Sequence, residues 1–78
     1  MLRFHYERLV RRIGQKKFAE MTGINSVYLG LMEHGRMTPN EDELTRMSHA
    51  LRVYPPSILL KPVLVEPPEV EEDQVAAR

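Results

Sequence analysis

The chain has 78 residues, with 42% hydrophobic and 28% charged side chains, no Cys, no Trp, and eleven basic residues balanced by eleven acidic ones. This length has room for one small domain, and the absence of Cys excludes a disulfide framework and any thiolate metal site. No apolar run approaches the roughly 20 residues that cross a bilayer, and Met1-Leu2-Arg3-Phe4-His5 lacks the apolar stretch of a secretory signal, so no membrane association and a cytoplasmic location are expected.

Glycine and proline punctuate residues 1–60 at short intervals, which predicts short helices. Over 2–13, Tyr6, Leu9, Val10 and Ile13 recur at helical spacing, with Arg8, Arg11 and Arg12 assigned to the solvent side and Gly14 as the interruption. A second helix, 15–22, turns Phe18 and Ala19 inward and Gln15, Lys16, Lys17 and Glu20 outward. Gly23 suits the left-handed residue that closes it. Asn25 is a good N-cap for a third helix reaching Glu33, with Leu29 and Met32 inward and Gly35 as its stop. Asn40 caps a fourth helix, and Glu43, three residues on, completes a capping box. Leu44, Met47 and Leu51 form its inner stripe. Pro55-Pro56 opens a fifth, short helix containing Ile58, Leu59 and Leu60.

The expected fold class is therefore all-α: a compact domain of five helices over 1–60, followed by a short, acidic, largely disordered tail over 61–78. Within that tail, residues 62–65 have the composition of a short strand. The second and third helices, joined by a Gly turn of a few residues, meet the requirement of a helix-turn-helix, whose second helix protrudes far enough to enter a major groove.

The zero net charge is not evenly spread. Residues 1–17 carry +5, residues 1–60 carry +3, and residues 61–78 carry −3 through Glu66, Glu69, Glu71, Glu72 and Asp73 against Lys61 and Arg78. Such asymmetry suits an anionic partner for the body; a solvated helix face with a solubilising tail stands open beside it.

The run Gln15-Lys-Lys-Phe18-Ala19-Glu-Met-Thr-Gly23-Ile24-Asn25-Ser-Val-Tyr28-Leu29-Gly-Leu-Met32-Glu33-His-Gly35, with Pro39 and Met47-Ser-His-Ala50-Leu51-Arg-Val53 after it, resembles the Cro/CI phage-repressor helix-turn-helix family, also called XRE-like. Phe18 stands where Leu is common and Asn25 where Ser is common. The resemblance covers about residues 2–60 and not the tail. It implies a lambda-repressor-like domain that binds double-stranded operator DNA as a homodimer, mostly to repress transcription.

Carried across, the resemblance implies phosphate contacts from Gln15, Lys16, Lys17, Asn25, Arg36 and Thr38, with Gln15 also bracing the recognition helix. Ser26, Val27, Tyr28 and Leu31 fall at groove-facing positions. The base-facing positions depart from the family pattern. Ser26, Val27, Gly30 and Leu31 stand where Gln, Arg, Asn or Ser is usual, so methyl contacts, with Gly30 allowing close backbone approach, or a conversion to protein binding would follow. Ile58, Leu59 and Val63 exceed the apolar needs of one small core and are candidates for a dimer surface.

His5, His34 and His49 lack metal-ligand spacing, and no Gly-rich phosphate loop or nucleophile triad is present, so no cofactor, no metal and no enzymatic activity are expected. Glu33 is expected to bond the loop or a nearby Arg rather than act as a base. The rival class is a protein-interaction module, in its natural form an antitoxin whose acidic tail engages a protein partner. RNA binding has no support from exposed aromatic pairs.

Overall fold

The structure is a computed structural model that describes residues 1–64. Among them are four α-helices, α1 (Arg3–Val10), α2 (Gln15–Thr22), α3 (Ser26–Glu33) and α4 (Glu41–Leu51), and a 3-10 helix, Pro56–Leu60. The described part is all-helical, and its only β-type pairing is an isolated antiparallel bridge between Leu2 and Pro62. The fifth expected helix is thus the 3-10 helix, opened by Pro55 as its N-cap and Pro56 in its first turn, where a missing N–H costs nothing. The disorder expected of the tail falls on residues 66–78, which lie outside the described residues.

Each α-helix starts and stops for a local reason. Asn25 Oδ1 accepts from Val27 N at 2.8 Å and opens α3. At α4, Asn40 Oδ1 accepts from Glu43 N at 2.8 Å while Glu43 Oε1 accepts from Asn40 N at 2.9 Å, the expected capping box. Glu41, Asp42 and Glu43 also place negative charge at the positive end of the α4 dipole. Gly23, at φ +72°, closes α2, and its N–H donates to Ala19 O at 2.8 Å.

The first helix differs from expectation at its end and in its face. It stops at Val10, short of Gly14, because Arg12 takes up φ +56° while its N–H donates to Leu9 O and the Ile13 N–H donates to Arg8 O. Those paired bonds satisfy the last carbonyls of the helix two residues before the glycine. Its buried line is Phe4, Glu7, Arg8 and Leu9, and Val10 is exposed.

The core gathers Phe4, Phe18, Ile24, Leu29, Met32, Met47, Leu51, Val53 and Leu59, with Leu44 partly buried at its edge. α2 packs on α3 and on α4, and α1 and α4 both pack on the 3-10 helix. Leu59 is fully buried inside this core, so in this fold it has no surface to offer a twin chain; Ile58 and Val63 are half-buried. Backbone groups of 61–63 bond to the start of the same chain: Arg3 N donates to Lys61 O at 2.8 Å and Val63 N donates to Met1 O at 2.7 Å. Val65, the last residue of the expected strand, lies outside the described residues.

Candidate nucleic-acid interface

The turn between α2 and α3 occupies Gly23, Ile24 and Asn25, and each residue has one task. Gly23 reverses the chain in the left-handed region, Ile24 plugs into the core, and Asn25 caps α3. Arg46 from α4 holds the end of α2 by donating from its Nη1 to Thr22 O at 2.8 Å. Thr22 turns its hydroxyl back to Phe18 O at 2.8 Å. Both ends of the turn are therefore tied down, and the direction of α3 is fixed by them.

The far end of α3 is anchored by charge. Glu33, its last residue, accepts from Arg8 of α1 in a two-pronged pair, Nε to Oε2 at 2.7 Å and Nη2 to Oε1 at 3.2 Å. The side chains are 0% and 1% exposed. Arg8 Nη1 also donates to Ile13 O at 2.7 Å. Gln15, the first residue of α2, donates from Nε2 to Glu33 Oε1 at 3.1 Å. His5 Nε2 lies 3.5 Å from the same carboxylate oxygen. One carboxylate thus joins α1, α2 and α3.

Arg8 accordingly leaves the solvent-facing basic set in which sequence spacing placed it. Periodicity marks a charged residue as outward and does not register an acid 25 positions away in the chain. The expected pairing of Glu33 with a nearby Arg is realised here, with Arg8 as the partner. Gln15 braces α3 through this carboxylate and is half-buried.

With Leu29, Met32 and Glu33 buried, α3 turns its opposite side to solvent: Val27, Tyr28 and Leu31 are 67%, 47% and 36% exposed. Their spacing of three and four residues puts them on one stripe. Ser26 is half-buried on its flank. Gly30 lies on the other side. A Cβ there would meet Gln15 Nε2 at 3.4 Å, so the missing side chain makes room for Gln15, at a position that the resemblance implies to be base-facing. The His34 ring Nδ1 lies 2.9 Å from Gly30 O and covers the end of the helix.

Lys16 and Lys17 are exposed in the first turn of α2, and Arg36 and Thr38 are exposed in the loop after α3. Met37, between the last two, adds exposed apolar surface that helical periodicity could not indicate because it lies in a loop. On α1, Glu7 accepts hydrogen bonds from Arg3 and Arg11, so part of the basic charge of that helix is already neutralised. Burial pushes the Glu7 carboxyl up, but hydrogen bonds from Arg11 and Arg3 outweigh burial and hold it below its ordinary value. No helix among the described residues is long and apolar enough to cross a membrane.

The chain is similar to two proteins of Mycobacterium tuberculosis, from strains CDC 1551 / Oshkosh and ATCC 25618 / H37Rv, each described as an uncharacterized HTH-type transcriptional regulator. The identity is 27% over 66 residues, covering 85% of this chain and 47% of each relative. The chain therefore spans about half the length of the curated relatives it matches. No protein-family model matches it. No solved structure matches it.

Proposed function

We propose that residues 1–64 form the DNA-binding domain of a transcriptional regulator, with α3 as the helix that enters the major groove. The observation that carries this is the combination at α3: a solvent-facing stripe of Val27, Tyr28 and Leu31 on a helix whose two ends are fixed, by the Asn25 cap and by the buried Arg8–Glu33 pair. A reading helix must keep its direction while it makes contacts, because misplacement of the whole stripe loses every contact at once. The similarity to proteins described as HTH-type transcriptional regulators supports the same conclusion.

In this proposal the domain is of the lambda-repressor-like, XRE-like kind, and acts in the cytoplasm as a repressor. Lys16, Lys17, Arg36 and Thr38 hold phosphates, Gln15 orients α3, and Asn25 adds a backbone contact beside its cap. Two copies place their α3 helices in successive major grooves about 34 Å apart, meeting through surface that includes Ile58 and Val63.

The test is a binding titration of the full chain against duplexes selected from a random-sequence library, repeated across salt concentrations. Affinity is expected to fall with a log–log slope of about −0.9 per phosphate contact. Tyr28→Ala is expected to weaken binding at least several-fold with the thermal midpoint unchanged, because half of its surface is already in water. Failure to enrich any duplex, together with a basic protein co-purifying through the acidic tail, would replace this proposal with the protein-binding module.

A further inference from the structure

The stripe that α3 turns outward carries no group able to make paired hydrogen bonds to a base. Residues 26–34 contain no Arg, Lys, Asn or Gln. Asn25 Oδ1 is engaged by Val27 N, Glu33 is buried on Arg8, and the His34 ring is turned back onto Gly30 O. The exposed part consists of Val27 and Leu31, four residues apart, with the Tyr28 ring beside them. Large aliphatic side chains this exposed lose free energy in water and gain it only against an apolar partner. The one apolar feature that a major groove offers is the 5-methyl group of a pyrimidine.

We propose that this chain reads DNA chiefly through pyrimidine 5-methyl groups, with Val27 and Leu31 as the specificity-determining residues. The proposal rests on the DNA-binding reading above and adds the chemical class that the stripe recognises. DNA is favoured over an apolar protein surface because of what surrounds the stripe: exposed Lys16 and Lys17 open the helix leading into it, and exposed Arg36 follows three residues after it ends. Cations at both flanks of an apolar strip complement a groove whose walls are phosphates and whose floor carries methyls. Thymine supplies that methyl in ordinary DNA, and 5-methylcytosine supplies it at the same position of the ring.

The test starts from duplexes enriched on the full chain from a random library, resynthesised with deoxyuridine in place of thymidine, a change that removes only the methyl. Each methyl read is expected to carry about a fourfold loss of affinity when removed, from the transfer free energy of one buried carbon. Val27→Ser is expected to erase the thymidine-over-deoxyuridine preference at one or more steps without lowering the thermal midpoint, since two thirds of its surface already lies in water; Leu31→Ser is expected to erase it at others with some loss of thermal midpoint, since Leu31 is only 36% exposed. Replacing a sensitive T·A step by 5-methyl-C·G separates the sources: restored binding assigns the methyl alone, while loss with thymidine preference intact assigns thymine. Equal affinity for thymidine and deoxyuridine duplexes, with salt-dependent binding retained, would overturn the methyl proposal and leave DNA binding standing. Enrichment of no duplex would overturn both.

Discussion

Arg8 and Glu33 are two full charges taken out of water, and their worth depends on their staying together. Burying an ion costs several kcal/mol, which the two-pronged geometry and the further bonds to Ile13 O and from Gln15 offset. Removing one partner leaves the other charge buried with too few bonds. Arg8→Met is therefore expected to cost about 3–5 kcal/mol in urea unfolding. The double variant Arg8→Met/Glu33→Leu should recover most of that loss, because neither charge then remains. It should not recover DNA affinity, because Gln15 loses the carboxylate that positions it. Full recovery of both would show that the pair only fills space. Glu7 makes a separate prediction with pH. Its carboxyl is held below the ordinary value of 4.5 when folded. Its contribution is thus complete above that value and is lost as pH falls through the folded value. The stability gap between the native chain and Glu7→Gln should be widest near neutrality and close as pH falls through the folded value, below 4.5. A gap that stays constant with pH would mean that Arg3 and Arg11 do not act on this group.

At the scale of elements, the stops of these helices share one device, a left-handed residue just past the last turn. Glycine supplies it after α2 and α3, at Gly23 and Gly35, whereas Arg12 and Arg52 supply it after α1 and α4. The two glycines differ in their surroundings. A Cβ at Gly23 would lie 3.1 Å from Arg46 Nη1, the group that holds Thr22 O, whereas at Gly35 it would meet nothing within 4 Å. Gly35→Ala should cost only the left-handed penalty of about 1–2 kcal/mol. Gly23→Ala should lower the thermal midpoint further, since it also displaces the clamp between α2 and α4. Equal losses would mean that the clamp gives way without cost. The same comparison explains what was legible in the sequence. Caps and stops that use a diagnostic residue type, Asn25, Asn40, Gly23 and Gly35, stand where spacing places them, and α2, α3 and α4 have their expected extents. α1 ends earlier than the sequence predicts because its stop uses Arg12, a residue type that carries no mark of a left-handed turn. Periodicity and resemblance do not show where Arg8 and Gly30 face, because their surroundings are set by partners far along the chain, Glu33 and Gln15.

For the whole molecule, a net charge of zero conceals a division. The segment 1–60 carries +3, and most of the negative charge that cancels it lies after Leu64, in Glu66, Glu69, Glu71, Glu72 and Asp73. Among the described residues, the core ends with Leu59, and backbone bonds tie 61–63 to the N-terminus. A chain ending at Leu64 should therefore keep its thermal midpoint while its net charge rises to +4. If Lys16, Lys17 and Arg36 grip phosphates, that chain should bind duplex DNA more tightly than the full chain at low salt. The advantage should shrink as salt rises, because charges off the contact surface act only within a Debye length, about 10 Å at 0.1 M and about 3 Å at 1 M. Parallel titrations of the two chains across that range separate the electrostatic role from a contact role. An advantage that persists undiminished at high salt would show that residues 65–78 occupy the DNA-binding face directly, and a loss of affinity on truncation would show that they contribute to binding.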